Sequence, residues 1–292
     1  WAQAEAPDVV LQVGGAVTSK RLWAWLAQAR PAWLQVAPDR ERRDPVYGVS
    51  ERWQADLPEV ASAWPGRSTD SDRRQRLLVL SDRLQAIVDD ELATSAPTCE
   101  AAIARTLARL LPPTHALVVA SSMPIRDLDM YAPSWSGPRT VLAQRGVSGI
   151  DGTLAHAAGV ARHRGPTTLL VGDQAFAHDV GSLQVLAASG APLTVVLVDN
   201  RGGGIFQFLP IASQADVFER LFAAPGVLDP KLACAAVGVP CVLVEGDLAG
   251  QLRSAWAQSG PRVLHLRTDR QTNVAQHRAL QARLLAALDG ER

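Results

Sequence analysis

An excess charge of either sign is missing from this sequence: 29 basic residues stand against 29 acidic ones among 292. Neutralising nucleic-acid phosphates takes a clustered basic excess, which argues against nucleic acid as the main partner. Cysteine is scarce too. Cys99, Cys234 and Cys241 are odd in number and lack metal-ligand spacing. They argue against a disulfide framework and a thiolate metal centre, and predict a reduced, cytoplasmic protein. No apolar run approaches the roughly 18 residues of a membrane span, so no membrane partner is expected. No secretory signal, internal repeat or low-complexity tract is visible. The first residue is Trp1 and a strand-like run begins at Asp8, which predicts a piece of a longer chain.

What is present is enough apolar content, 47%, for a sizeable core and enough length for two domains. Residues 8–13 (DVVLQV) read as a buried strand, Gly14 and Gly15 as a turn, Ser19 as the cap of a helix over 20–30, and 33–36 as a second strand. Residues 40–44 read as a charged, solvated loop, and 62–72 as a linker rich in Pro, Gly, Ser and Asp. Helical apolar spacing predicts a long connecting helix over 72–92 and another over 99–111. Strands are then expected at 115–120, 140–143, 167–171, 193–198, 241–244 and 262–267. Between and after them lie helices at 152–161, 180–189, near 216–223, 248–258 and 274–288. Such alternation predicts an α/β fold with a doubly wound, mostly parallel sheet.

The strand runs 167–171 and 193–198 are continuously apolar, as in central parallel strands covered on both faces. A right-handed crossover between them puts Asp173 and Asn200 just past neighbouring strand ends, where open α/β sheets bind ligands. A carboxylate, an amide oxygen and a backbone carbonyl, for which Gly202 is the choice, suit a hard divalent cation such as Mg²⁺. Gly202, Gly203 and Gly204 remove side chains where a backbone approaches a phosphate, so the stretch predicts a metal-bridged diphosphate. A plain β-α-β unit with a glycine-rich turn is the competing reading.

Gly172-Asp173, with Asn200 27 positions after the aspartate and glycines beyond it, resembles the motif of thiamine-diphosphate enzymes; Gln174 stands where many relatives carry glycine. SSMPIRDLDMY (121–131), QRGVSGIDGTLAHAAG (144–159), DNRGGGIFQFLP (199–210) and LQVGGAVTSKRLWAWL (11–26) are similar to segments of one branch. That branch is the 2-succinyl-5-enolpyruvyl-6-hydroxy-3-cyclohexene-1-carboxylate synthase family of menaquinone biosynthesis.

The resemblance implies the end of a middle domain at 1–68, a connecting helix at 69–95 and a diphosphate- and metal-binding domain at 96–292. A pyrimidine-binding domain is then missing, so the piece alone is expected to be inactive. It implies thiamine diphosphate with Mg²⁺, or Mn²⁺ in its place, and a homodimer or homotetramer. The reaction implied decarboxylates 2-oxoglutarate and joins the succinyl unit to isochorismate. Arg126 and Arg145 would meet substrate carboxylates, Ser122 would donate a hydrogen bond, and Lys20, Arg21 and Leu209 would bind substrate. Gly172, Asp173, Gln174, Ser148, Ile150, Asn200, Gly202, Gly203, Ile205 and Phe206 would surround the cofactor, Ile150 as the wedge that bends it. Asp173, Asn200 and the Gly202 carbonyl would hold the metal. Each has a plainer alternative: surface charge for Arg126, Arg145, Lys20 and Arg21, a helix cap for Ser122, core packing for Ile150, Ile205, Phe206 and Leu209. No role is assigned to His156, His163 or His178. Two other functions stay open: an acetolactate-synthase-like enzyme acting on another 2-oxo acid, and a non-catalytic cofactor-binding module.

Overall fold

The computed structural model describes residues 5–63, 71–93 and 99–289. It divides into two compact units, residues 1–84 with 284–292, and residues 85–283.

The first unit carries a three-stranded parallel sheet in the order β1 (Val9–Val13), β2 (Ala32–Ala37), β3 (Glu51–Gln54). Helix α1 (Lys20–Ala29) joins β1 to β2, and Ser19 caps it by accepting the Leu22 N–H at 3.2 Å. Its apolar stripe seats Trp23 and Leu26 on Trp33 of β2, the two indoles stacked at 5.6 Å. Two expectations need correction here. β1 is not a buried strand: Val9 is 69% exposed, because β1 is an edge strand and its alternate residues point away from the tryptophan cluster. The 40–44 loop is not freely solvated, since Asp44 is buried and accepts the backbone N–H groups of Val46 and Val49. Those bonds outweigh the cost of burying it and hold its carboxyl below its ordinary range. β3 has no apolar run (ERWQ) and gives no sequence signal. Helix α2 (Leu57–Ala63) takes in the start of the expected linker, most of whose remainder lies outside the described residues. Helix α3 (Ser71–Ala93) follows.

The second unit is built on six parallel strands: β4 (Ala116–Val119), β5 (Thr140–Ala143), β6 (Thr167–Gly172), β7 (Leu193–Asp199), β8 (Cys241–Leu243) and β9 (Arg262–Arg267). Their order is β5-β4-β6-β7-β9-β8. The helices are α4 (Glu100–Leu110), α5 (Met123–Tyr131), α6 (Thr153–Arg164), α7 (Asp173–His178), α8 (Leu183–Ser189), α9 (Ala215–Phe218), α10 (Pro230–Ala236), α11 (Leu248–Trp256) and α12 (Arg270–Asp289). The central strands read as unbroken apolar runs because both faces are covered. Leu169, Val171, Val195 and Leu197 pack on one face with Leu154, Phe176 and Leu186. Leu170, Val196 and Leu264 pack on the other with Ile103, Leu107 and Leu252. Each fully buried aliphatic side chain contributes about 1.5–3 kcal/mol over leaving it in water. The expected 180–189 helix is a short helical turn, Val180–Ser182, leading into α8.

One feature of this order positions the site. The chain passes from β4 outward to β5, then returns to lay β6 on the opposite side of β4. Connections reverse direction there, and such a reversal opens a crevice at the carboxyl ends of the strands.

Candidate cofactor and substrate site

A cavity of about 540 Å³ opens at that reversal. Four strand ends send a segment to it: Ser121 and Ser122 follow β4, Arg145 follows β5, Gly172 ends β6 and Asp173 follows it, and Asn200 follows β7. Gly172 is level with Val198 across the β6–β7 ladder, so the next residues, Asp173 and Asp199, leave adjacent strand ends side by side.

The two acids then part. Asp199 takes His265 on β9 at 2.8 Å; its carboxyl stays below the ordinary range because His265 and the Arg201 N–H outweigh burial. Asp173 instead lines the cavity. Burial, the larger cause, and the nearby Asp199 charge push its carboxyl up to about 6, against the hydrogen bonds of Gln174 (3.1 Å) and the Gly202 N–H. A carboxylate so placed lacks a compensating cation among the described side chains. Asn200, also on the cavity wall, donates Nδ2 to Glu100 at 2.9 Å, while its Oδ1 is buried without a partner. An underserved carboxylate and an orphaned amide oxygen in one cavity are the donor set of a hard cation. The Gly202 carbonyl accepts from the Gly204 N–H at 2.9 Å and keeps a second lone pair.

The glycine run has a more local cause than phosphate approach alone. A Cβ on Gly202 would meet the Ala223 carbonyl oxygen at 2.5 Å, one on Gly203 the Phe222 carbonyl at 2.5 Å, and one on Gly204 the Asn200 Nδ2 at 2.5 Å. Gly202 also has φ +147°. The three glycines let the 200–204 turn lie flat on the 222–224 backbone, where Gly203 donates to Ala223 at 2.7 Å. Strain collects around the same cavity: Ser122 has φ 76° and ψ −134°, and Ser148 has φ 59°.

Arg126, on the first turn of α5, donates to the Ser122 carbonyl at 2.6 Å. Arg145 is exposed and reaches the Ser148 hydroxyl at 3.3 Å. Ile150, Ile205 and Phe206 add apolar wall; Ile150 is 36% exposed. The cavity thus gathers Ser122, Arg126, Arg145, Ser148, Ile150, Gly172, Asp173, Gln174, Asn200, Gly202, Gly203, Ile205 and Phe206. Leu209 does not line it and is 47% exposed, held beyond the short helical turn Gly204–Phe208. Lys20 and Arg21 open α1 in the first unit, exposed.

Sequence reasoning missed Glu100 and Asp127. Both are buried and line the cavity. Burial, then the nearby Asp127 charge, pushes the Glu100 carboxyl up to about 7, against bonds from Asn200 and Thr268. Burial also raises Asp127, opposed by His277 at 3.2 Å. An acidic residue in a first helical turn reads as ordinary helix-dipole pairing, so Glu100 sent no separate signal. Asp127 sits inside the quoted 121–131 segment.

A parallel sheet with a metal-type donor set at its switch point defines a cofactor-binding α/β protein, and the cofactor class follows from the sequence families. The model "Thiamine pyrophosphate enzyme, C-terminal TPP binding domain" matches residues 128–266, and "Middle domain of thiamine pyrophosphate" matches 2–119. Curated 2-succinyl-5-enolpyruvyl-6-hydroxy-3-cyclohexene-1-carboxylate synthases are similar over nearly the whole chain. The Rubrobacter xylanophilus protein is 40% identical over 94% of this chain and 49% of its own length. Those of Synechococcus elongatus (37%; 98% and 49%) and Salinibacter ruber (39%; 97% and 49%) are similar. The chain belongs to this synthase family. It spans about half the length of the curated relatives it matches. In fold it resembles a Mycobacterium smegmatis protein described as a thiamin diphosphate-dependent enzyme, with a TM-score of 0.60 at 21% identity, over 90% of this chain and 49% of that one.

Proposed function

We propose that this chain holds thiamine diphosphate through a divalent cation, Mg²⁺ or Mn²⁺, and that the whole protein joins a succinyl unit from 2-oxoglutarate to isochorismate. The observation that carries the reading is the meeting of Asp173 and the unpartnered Asn200 Oδ1 in one cavity with two arginines. Thiamine diphosphate, when bound, supplies the electron sink for decarboxylating a 2-oxo acid. The chain's own residues bind and orient. Asp173, Asn200 and the Gly202 carbonyl offer the oxygens for the cation, and Gly172, Gln174 and Gly203 line the cavity beside them. Arg126 and Arg145 supply paired cationic forks for carboxylates, which suits a dicarboxylic 2-oxo acid better than pyruvate. Ser122 and Ser148 offer hydroxyls on strained backbone, and Ile150, Ile205 and Phe206 exclude water around the rings. Lys20 and Arg21 are proposed for the isochorismate side, with Leu209 as a further substrate contact.

The proposal includes a middle domain ending near residue 68, a connecting helix to 95, and the diphosphate domain after it. It includes a homodimer or homotetramer in a cytoplasmic setting; the three cysteines are free, and no helix among the described residues is long and apolar enough to cross a membrane. The test is turnover by the full-length protein. Consumption of 2-oxoglutarate and isochorismate, dependent on thiamine diphosphate and Mg²⁺, is expected. Turnover of pyruvate instead would move the assignment to an acetolactate-synthase-like enzyme, and cofactor binding without turnover of either acid to a binding module.

A further inference from the structure

We infer that Glu100 is the positioning residue of Asn200: it fixes which end of the carboxamide faces a cation. The inference rests on the metal reading above and names a residue outside the motif that makes it work. An asparagine amide presents oxygen or nitrogen after a half-turn about its last torsion, and the two poses are nearly isosteric. Only the oxygen can ligate a metal ion. Something must therefore bias the pose.

Glu100 supplies the bias from α4, one hundred positions earlier in the chain. Its Oε1 accepts the Asn200 Nδ2–H at 2.9 Å and the Thr268 hydroxyl at 2.8 Å. All three side chains meet in a buried place, Glu100 at 3% exposure and Asn200 at 9%. The reversed pose would press Asn200 Oδ1 against Glu100 Oε1, two acceptors at hydrogen-bond distance. It would also forfeit a hydrogen bond of ~0.5–1.5 kcal/mol, which alone disfavours that pose by roughly 2- to 12-fold. Oε1 remains an acceptor whether or not Oε2 carries a proton, so the bias does not depend on the ionisation of Glu100. Gly204 borders the other side of the amide, where a Cβ would lie 2.5 Å from Nδ2, so the absence of a side chain makes room for it. Thr268 holds Glu100 in turn, placed just past the end of β9, where its N–H donates to the Asp199 carbonyl. The orphaned Oδ1 is the outcome of this clamp.

The experiment measures Mn²⁺ binding to the full-length protein with thiamine diphosphate present, by the electron paramagnetic resonance of free Mn²⁺. Glu100→Leu removes the acceptor and is expected to weaken Mn²⁺ binding by about 10- to 100-fold, the usual cost of losing a residue that orients a metal ligand. Glu100→Gln keeps a carbonyl oxygen for Nδ2 and is expected to bind near the wild-type level. Asp173→Ala is the control for the reading beneath. Unchanged Mn²⁺ affinity in Glu100→Leu, with binding lost in Asp173→Ala, overturns the positioning role alone. Unchanged affinity in both overturns the metal reading, and the inference with it. An equal loss in Glu100→Leu and Glu100→Gln also overturns it, since the hydrogen bond would then not be the cause. If Glu100→Leu does not fold, Thr268→Val stands in. A several-fold weaker Mn²⁺ affinity supports the clamp, and wild-type affinity overturns it.

Discussion

Arg126 shares one cavity with Arg145, and the Arg145 charge is the second cause, after burial, that holds the Arg126 guanidinium below its ordinary range. Two cations kept close in a half-buried space weaken the free protein and await an anion. Removing one therefore separates binding from folding. If the proposed function holds, Arg126→Ala is expected to raise the KM of the full-length protein for 2-oxoglutarate by about 10- to 150-fold, the worth of one hydrogen bond to a charged group. Its unfolding midpoint in urea should be unchanged or higher. Arg126→Lys keeps the charge and loses the planar fork, so it should recover only part of the affinity. An unchanged KM in Arg126→Ala would remove this residue from the substrate site.

Acid sensitivity has a separate seat. Arg105 on α4 is 4% exposed and donates to Asp89 on α3 at 2.6 Å. That bond is the main cause that holds the Asp89 carboxyl below its ordinary range; burial opposes it, and Arg109 at 2.5 Å adds to it. A lowered carboxylate contributes its stability above its unfolded value and loses it as pH falls through the folded one. Asp89 is 36% exposed, so solvent screens the pair, and the larger effect comes from leaving buried Arg105 short of a partner. Asp89→Asn is expected to cost about 1–2 kcal/mol at pH 7. The gap from wild type should narrow as pH falls below about 4, the ordinary carboxyl range, toward the lower folded value. Urea titrations at pH 7 and at successively lower pH decide; a gap that does not narrow assigns the effect to packing.

The glycine turn makes a prediction about space. Gly204 is buried, and an added Cβ would lie 2.5 Å from the Asn200 amide nitrogen. Gly204→Ala should displace that amide and weaken thiamine diphosphate binding in Mg²⁺, read by isothermal titration calorimetry, by at least about 10-fold. Gly159, exposed within α6 with nothing within 4 Å of its would-be Cβ, is the matched control. Gly159→Ala should leave binding alone and stabilise the protein by about 0.5–1 kcal/mol. Equal binding in both variants would show that the amide is not confined by the turn.

The sheet was legible because its strands advertise themselves. The runs at 167–171 and 193–198 hold only aliphatic residues and threonine, with no charge, as suits strands covered on both faces. The 140–143 and 262–267 strands also matched the observed bounds, the first a short β-branched and aliphatic edge strand and the second bounded by Arg262 and Arg267. β3 was not legible, because ERWQ has no alternation and its position follows from pairing with β2. α7 was hidden by its brevity: it starts at Asp173 itself, so the residue read as lying just past a strand end is the first of a helix. Within the cavity, residues carried by the strand-end motifs were readable from spacing. Glu100 was not, because its relation to Asn200 exists only once α4 packs beside the β7 end. Leu209 was placed by its neighbours Ile205 and Phe206, yet the turn carries it off the cavity wall.

Ile150 offers the sharpest separation of a working side chain from a packing one. It lines the cavity and is 36% exposed, so truncating it forfeits only part of what a core isoleucine buries. Ile150→Ala should therefore cost about 1–2 kcal/mol of folding stability, below the ~2–5 kcal/mol of a fully buried site. If the side chain holds the cofactor's two rings at a working angle, its loss should act on turnover. Misplacing reacting atoms by an ångström can cost about 100-fold in rate. The expected pattern in the full-length enzyme is a kcat lower by about 10- to 100-fold, with thiamine diphosphate affinity changed far less. Ile150→Val restores most of the bulk and should recover most of the rate. Calorimetric affinity set against steady-state kcat reads the two apart. A large loss of stability with kcat preserved would return Ile150 to the core, and equal losses of affinity and rate would make it a plain binding contact.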